Sequence, residues 1–256
     1  MIRSVFAALF LALPLVAQEI TDYHIHLRGG MTAAKALARQ QETGVRSTVL
    51  ENHGREWPLN TSEKVLAFVA DAKPSGLPVG LQVNDRDWYK QLPQDVLDRL
   101  DFILADTMIL DGQRLWKPEV KIDDPEKWME RYFAHNLQIL DEPVSILANP
   151  TYLPPCISNR YDALWTDARM KAVIGKAIEK NIALEIQAAP SVYPHERFIV
   201  LARDMGAKFS FGTNNFDDKP KDTSRWREVV SKYKIGPEQL WKLPVRANHR
   251  SAAQRR

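Results

Sequence analysis

Short apolar runs recur along the chain, and between most of them apolar positions return at the three- and four-residue spacing of a helix face. The runs at 20–26, 46–50, 79–83, 101–106, 144–148, 182–186 and 207–211 read as strands. Thr32 can cap a first helix whose small or apolar residues Ala33, Ala36 and Leu37 share one face and which Gly44 ends. A second helix is expected over about 61–73, and Pro125 opens a third with Trp128, Met129, Tyr132, Phe133, Leu137 and Leu140 at core spacing. Phe198, Leu201, Ala202 and Met205 stripe another that Gly206 stops, and Trp226, Val229, Val230 and Tyr233 mark the last.

Strand and helix alternate about seven times at the spacing of βα units, with no low-complexity linker and no short-period repeat. The expected fold class is α/β, a distorted TIM-like (β/α)7 barrel forming one domain over 18–245. An open doubly wound sheet is the competing topology. It would carry a Gly-rich phosphate turn after its first strand, and Arg28-Gly29-Gly30-Met31 is a poor version of one. Residues 107–124 interrupt the alternation, as a lid or binding loop would.

The chain has 256 residues, 45% of them hydrophobic and 26% charged, enough to bury one large core. A net charge of +3 gives no argument for a nucleic-acid partner, and part of the basic excess sits in a solvated tail at 246–256. Residues 1–17 have the form of a secretory signal: Arg3, an apolar stretch over 5–16, and Leu15-Val16-Ala17 as the cleavage site. That stretch is short for a membrane span, and no cysteine follows it to take a lipid. The mature protein is therefore expected to be secreted or periplasmic, with no membrane attachment; its oligomeric state stays open. Cys156 is the single cysteine, which excludes an intramolecular disulfide.

The chemistry gathers at strand ends. His24, His26, His53, Asn84, Asp106, Asn149, Glu185 and Asn214 all fall there, and a parallel barrel brings such positions to one rim. His24 and His26 share a strand face and Ile25 takes the other, so the two imidazoles can serve one divalent metal from a rigid support. A pair of hydrogen-bonded structural histidines is the competing reading of the same spacing.

The order of these motifs resembles the polymerase and histidinol phosphatase (PHP) superfamily. Asp22-Tyr23-His24-Ile25-His26 is similar to its first motif and Val49-Leu50-Glu51-Asn52-His53-Gly54 to its second. Gly80-Leu81-Gln82-Val83-Asn84, Asn149-Pro150 and Gly212-Thr213-Asn214-Asn215-Phe216 stand where later motifs fall. The resemblance implies a distorted seven-stranded barrel with a cluster of divalent metals. The departures reduce that cluster: Asn84 stands for a bridging glutamate, Asn149 for a histidine, Asn214 for an aspartate and Phe216 for the closing histidine. What remains is a site of one ion, Zn, Mn or Fe, on His24, His26 and His53, with Asp106 or Glu185 as the catalytic proton carrier.

Arg28, Asn84, Arg86, Asn149, Tyr152 and Asn214 are the candidate contacts to a small-molecule substrate. Rim arginines suit a phosphate or carboxylate, while Trp57, Trp88, Trp116 and Tyr152 together with amides equally suit a sugar. The expected function is an exported PHP-like metal-dependent hydrolase of a small phosphoester or related polar substrate. The alternative is a barrel that has lost catalysis and binds a small anionic or sugar ligand. An amidohydrolase-like enzyme would also use the first-strand pair, but its bridging lysine has no counterpart at 102–111.

The leader can be tested directly. Intact-mass measurement of the exported product should show loss of the first ~17 residues; a full-length product held in the inner membrane would contradict the reading.

Overall fold

The structure is a computed structural model describing residues 19–188 and 194–244, so the expected leader and basic tail lie outside the described residues. The chain begins with β1 (Thr21–Asp22), α1 (Ala33–Thr43), β2 (Arg46–Ser47), β3 (Val49–His53), α2 (Ser62–Ala72) and β4 (Val79–Val83). Next come α3 (Trp88–Gln91), α4 (Gln94–Leu97), β5 (Phe102–Asp106), β6 (Ile109–Leu110), β7 (Gln113–Arg114) and α5 (Pro125–Ile139). The rest is β8 (Ile146–Ala148), α6 (Tyr161–Leu164), α7 (Asp167–Glu179), β9 (Ala183–Gln187), α8 (Glu196–Asp204), β10 (Phe209–Gly212) and α9 (Ser224–Lys232).

Polar side chains start the longer helices where orphaned amide groups need acceptors. Thr32 accepts from Lys35 N at 3.2 Å, and Asp124, ahead of Pro125, accepts from Lys127 N at 3.1 Å.

The main sheet runs in the order β2-β1-β10-β9-β8-β5-β4-β3, and every pairing in it is parallel. Its two ends, β2 and β3, are separated only by Thr48 and form one kinked strand. The lower half pairs with β1 and the upper half with β4, while Leu50 N bonds to Ile25 O at 2.9 Å. The eight segments thus make seven strand positions and a closed ring, the (β/α)7 barrel expected from the alternation. The first strand is shorter than its apolar pattern suggests. Its ladder stops at Asp22, and the chain beyond is irregular, joined to the second strand through a His26–Leu50 bridge.

Side-chain alternation divides the core in two. Val49, Leu81, Val83, Ile103, Leu147, Leu184, Ile186 and Phe211 face the helices, each worth about 1.5–3 kcal/mol when fully buried. Tyr23, Leu50, Phe102, Leu104, Ile146 and Ala183 fill the inside of the ring, with Trp241 below them. Tyr23 packs edge-on against Phe102 and Trp241 at centroid distances of 5.8 and 4.8 Å. The barrel is thus plugged at its N-terminal end, and the polar residues are left for the C-terminal end.

The 107–124 insertion is a wall of that upper end. β6 and β7 pair antiparallel around Asp111 and Gly112, whose φ values of 50° and 78° suit a tight hairpin turn. Leu110 and Leu115 are buried, and Arg131 of α5 pairs with Asp111. No helix among the described residues is long and apolar enough to cross a membrane.

Asp22 ties the first strand to the rest. Its carboxylate is fully buried and accepts from Arg39 of α1, from Thr213 N at 3.0 Å, from Thr213 Oγ1 at 2.7 Å and from His24 N at 3.1 Å. Asp22→Ala leaves a buried guanidinium without its counter-charge. The expected loss is about 3–5 kcal/mol, read from urea unfolding; a loss below about 1 kcal/mol would show that Asp22 does not hold this junction.

Candidate functional site

Above the apolar plug the same alternation turns Asn52, Gln82, Asp106, Glu185 and Gln187 into the barrel, in register with Leu50, Gly80, Leu104 and Ala183 beneath them. All five are buried, so their polar atoms must satisfy one another. His24 Nδ1 meets Glu185 Oε1 at 2.5 Å, and its Nε2 meets Gln82 Oε1 at 2.8 Å. Gln82 Nε2 donates to Asp106 Oδ2 at 3.1 Å, and Asn149 Nδ2 donates to Asp106 Oδ1 at 2.9 Å. Gln187 Nε2 closes the ring by donating to Asn149 Oδ1 and, at 3.2 Å, to Glu185 Oε2.

The direction of these bonds sets the charge on His24. Gln82 gives its N–H to a carboxylate, so its oxygen is the atom that faces His24 and takes the Nε2 proton. Glu185 takes the other. Burial disfavours the imidazolium, but the Glu185 charge and the bonds His24 donates to Glu185 and Gln82 outweigh it and hold the His24 pKa above its ordinary value. Asp106 moves the same way: burial raises its pKa despite the bonds from Met108 N and Asn149.

The three expected metal ligands therefore do not form a ligand set. His24 donates from both ring nitrogens and has no lone pair to offer. His26 Nδ1 lies 2.5 Å from Arg28 Nη2 and accepts from it, and burial pushes its pKa down to about 3, so this ring is neutral. His53 donates from Nδ1 to Leu59 O at 2.5 Å, and burial lowers its pKa too. Among the described residues no group of three or more His, Cys, Asp or Glu side chains gathers as a metal ion requires. The residues do not fit the site that the motifs imply, although His24 and His26 do face the same side with their rings 5.1 Å apart.

A cavity of about 520 Å³ opens above the ring at the C-terminal mouth, within the size range of small-molecule sites. Gln82, Asp106, Asn149 and Gln187 belong both to the ring and to the cavity wall. Asn52, Thr213 and Asn214 add polar groups, and Trp57, Trp116, Tyr152, Phe216 and Met108 add apolar faces. Arg28, Arg114 and Lys221 bring positive charge, and Asp106 is the only carboxylate among the lining residues.

Of the expected substrate contacts, Arg28, Asn149, Tyr152 and Asn214 line this cavity. Asn84 and Arg86 do not. Asn84 is buried and donates to His53 O at 3.5 Å. Arg86 runs into the protein interior, where Nη2 donates to Asn84 O at 3.1 Å and Nη1 lies 3.4 Å from Glu142. Burial pushes the Glu142 pKa up to about 6, against the pull of Arg86 and a 2.8 Å bond from Trp88 Nε1. The two candidate proton carriers stand at different levels. Asp106 reaches the cavity, whereas Glu185 is fully buried beneath it.

Gln82, Gln187 and Lys221 were not singled out from the sequence. Gln82 was discernible as the one polar residue of an otherwise apolar strand, and Gln187 as the position two residues after Glu185 on the same strand face. Lys221 gave no such signal, because it comes from a loop after β10.

The ring makes stability depend on pH. His24 has a folded pKa above 6.5, so its contribution is complete below that value and is lost as pH rises through the folded pKa. Asp106, raised above 3.8, adds a loss in the same direction. Denaturant-derived stability should fall as pH rises above about 6.5. Glu185→Gln should lower stability by about 3–5 kcal/mol at pH 6 and shrink that decline. Parallel pH profiles for the two proteins would refute the pairing.

No family model matches the sequence, and no curated protein matches it. Solved structures resemble it in architecture. The catalytic domain of a mannanase from Streptomyces sp. SirexAA-E is 16% identical with a TM-score of 0.38, over 93% of this chain and 98% of that one. A β-mannanase from Streptomyces thermolilacinus is 14% identical with a TM-score of 0.43, over 85% and 78%. A glycoside hydrolase family 5 enzyme from Prevotella bryantii B14 is 12% identical with a TM-score of 0.38, over 85% and 96%. At these levels the likeness is one of barrel architecture, and the chemistry has to be argued from this chain's own side chains.

Proposed function

We propose that this protein is a PHP-like barrel that binds a small polar ligand, a sugar or a small anion, at its C-terminal mouth. The observation that carries the reading is the mouth cavity itself, in which amides, aromatic faces and cations surround a single carboxylate. Amides can both donate to and accept from hydroxyl groups, and flat aromatic faces cover the apolar side of a sugar ring. Beneath them a charged imidazole bonded to Glu185 and Gln82 stands where the family resemblance puts metal chemistry. The proposed role of the ring is to hold Gln82, Asp106, Asn149 and Gln187 in fixed orientations for the ligand. A ligand hydroxyl can donate to Asp106 Oδ2, which among the described residues takes one bond, from Gln82.

One feature favours a second reading, the metal-dependent hydrolase. His53 donates from Nδ1 to a backbone carbonyl, and its buried Nε2 has no hydrogen-bond partner among the described residues. Histidines that ligate metals are commonly oriented by such a bond. One imidazole does not hold an ion by itself, so this reading requires His24 or His26 to give up its present partners.

Metal analysis and thermal melting separate the two. After exposure to Zn, Mn and Fe followed by desalting, the binding reading expects substoichiometric metal and a melting temperature unchanged by chelator. It also expects stabilisation by sugars or small anions, about 2.7 kcal/mol at one hundred times Kd. One retained equivalent of metal, together with phosphoester hydrolysis lost in His53→Ala, would replace it with the hydrolase.

A further inference from the structure

Phe216 is 65% exposed, the most exposed of the large hydrophobic residues among those described, and it lies at the cavity mouth. Its loop is nevertheless tightly held. The fully buried Asn215 beside it accepts from His26 N at 2.7 Å and donates to His26 O and Asp217 O, both at 3.0 Å. The Phe216 carbonyl lies so close to Gly29 that any Cβ there would overlap it. An apolar ring held in water by a fixed loop offers a stacking face with little ordering cost.

Lys221 lies over one face of that ring, its Nζ 5.4 Å from the ring centroid, which leaves the other face for stacking. The ammonium donates to Thr213 O at 3.0 Å and to Asn214 O at 2.9 Å, which leaves one of its three donors. Among the described residues it forms no ion pair; Asp22 and Asp217 act on it only through space, and Asp22 is engaged by Arg39. Burial accordingly lowers its pKa.

The other two cations of the cavity are already compensated. Arg28 pairs with Glu51, and Arg114 lies 4.8 Å over the Trp57 ring and 3.9 Å from Glu56. The mouth therefore offers one ammonium without a counter-ion beside a stacking face, and a floor of amides around a carboxylate. That carboxylate, Asp106, repels a second negative charge but accepts from hydroxyl groups.

Resting on the ligand-binding reading above, we propose that the ligand is a sugar acid with a single carboxylate, of the hexuronate class. Its carboxylate sits on Lys221, its ring face on Phe216, and its hydroxyls on Asn149, Gln187 and Asp106. A monoanion matches one unpaired ammonium, whereas a phosphate dianion would leave a surplus charge near Asp106.

Calorimetric titration of the mature chain with glucuronate and galacturonate, their neutral parents glucose and galactose, and glucose 6-phosphate tests this. A uronate should bind about tenfold more tightly than its neutral parent, the size of one charge-assisted hydrogen bond. In Lys221→Met that ratio should collapse towards one, and Phe216→Ala should weaken both members of a pair. Lys221→Gln, which can still reach the two carbonyls, guards against a folding defect and should give the same collapse. Equal binding of uronate and parent, tighter binding of the phosphate, or a ratio unchanged in both Lys221 variants would overturn the sugar-acid assignment alone. Binding of none of the five probes would overturn it and count equally against the mouth as a sugar site.

Discussion

A charged imidazole inside a barrel is stable only where its protons meet acceptors and its charge meets an opposite one, and His24 constrains much of the surrounding structure. Glu185 must approach to 2.5 Å, which the backbone of the neighbouring strand allows because position 212 is glycine; a Cβ there would collide with the Glu185 carboxylate and with His24. Gln82 must present its oxygen to His24, so its nitrogen turns to Asp106, and Asp106 in turn draws Asn149. Asn149 meets that demand with a left-handed backbone, φ 51°, which also aims its N–H at Glu185 Oε2, 3.3 Å away. Asparagine is among the few residues that tolerate this conformation. A half-satisfied network of this kind would cost more than an apolar filling, so its members stand or fall together.

Chemical consequences follow from where the ring ends. Four of its side chains are also the floor of the cavity, so a bound molecule meets groups already oriented by bonds below them. Preorganised groups lose little freedom on binding. The walls are fixed in the same manner: the hairpin of the 107–124 insertion is anchored by buried leucines, and the loop after β10 by Asn215. Two carboxylates that could have worked as an acid–base pair are instead divided between levels, one at the floor and one sealed beneath it. This division leaves Asp106 as the carboxylate among the lining residues that a molecule in the cavity would meet.

The amino-acid sequence by itself determined the barrel. Seven apolar runs, capping residues such as Thr32 and Asp124, and the alternation that sends Leu184 and Ile186 outward while Glu185 faces inward are local properties of the chain. Other local signals lie in the chain as well: Asp111-Gly112 is a hairpin turn signature, and inward glutamines at 82 and 187 announce a polar interior. Tertiary structure decided what each polar side chain does. His24 is separated from Glu185 by 161 positions and from Gln82 by 58, and no spacing rule says that those two would occupy its nitrogens. Arg86 stands at a strand end like a ligand contact, yet it runs inward, donating to the carbonyls of Val83 and Asn84 with Glu142 3.4 Å away. Lys221 enters the mouth from a loop whose course depends on the packing of β10 and α9. A strand period tells a side chain which face to take; which partner it finds there depends on the closure of the whole ring, and that is a property of contacts far apart in the chain.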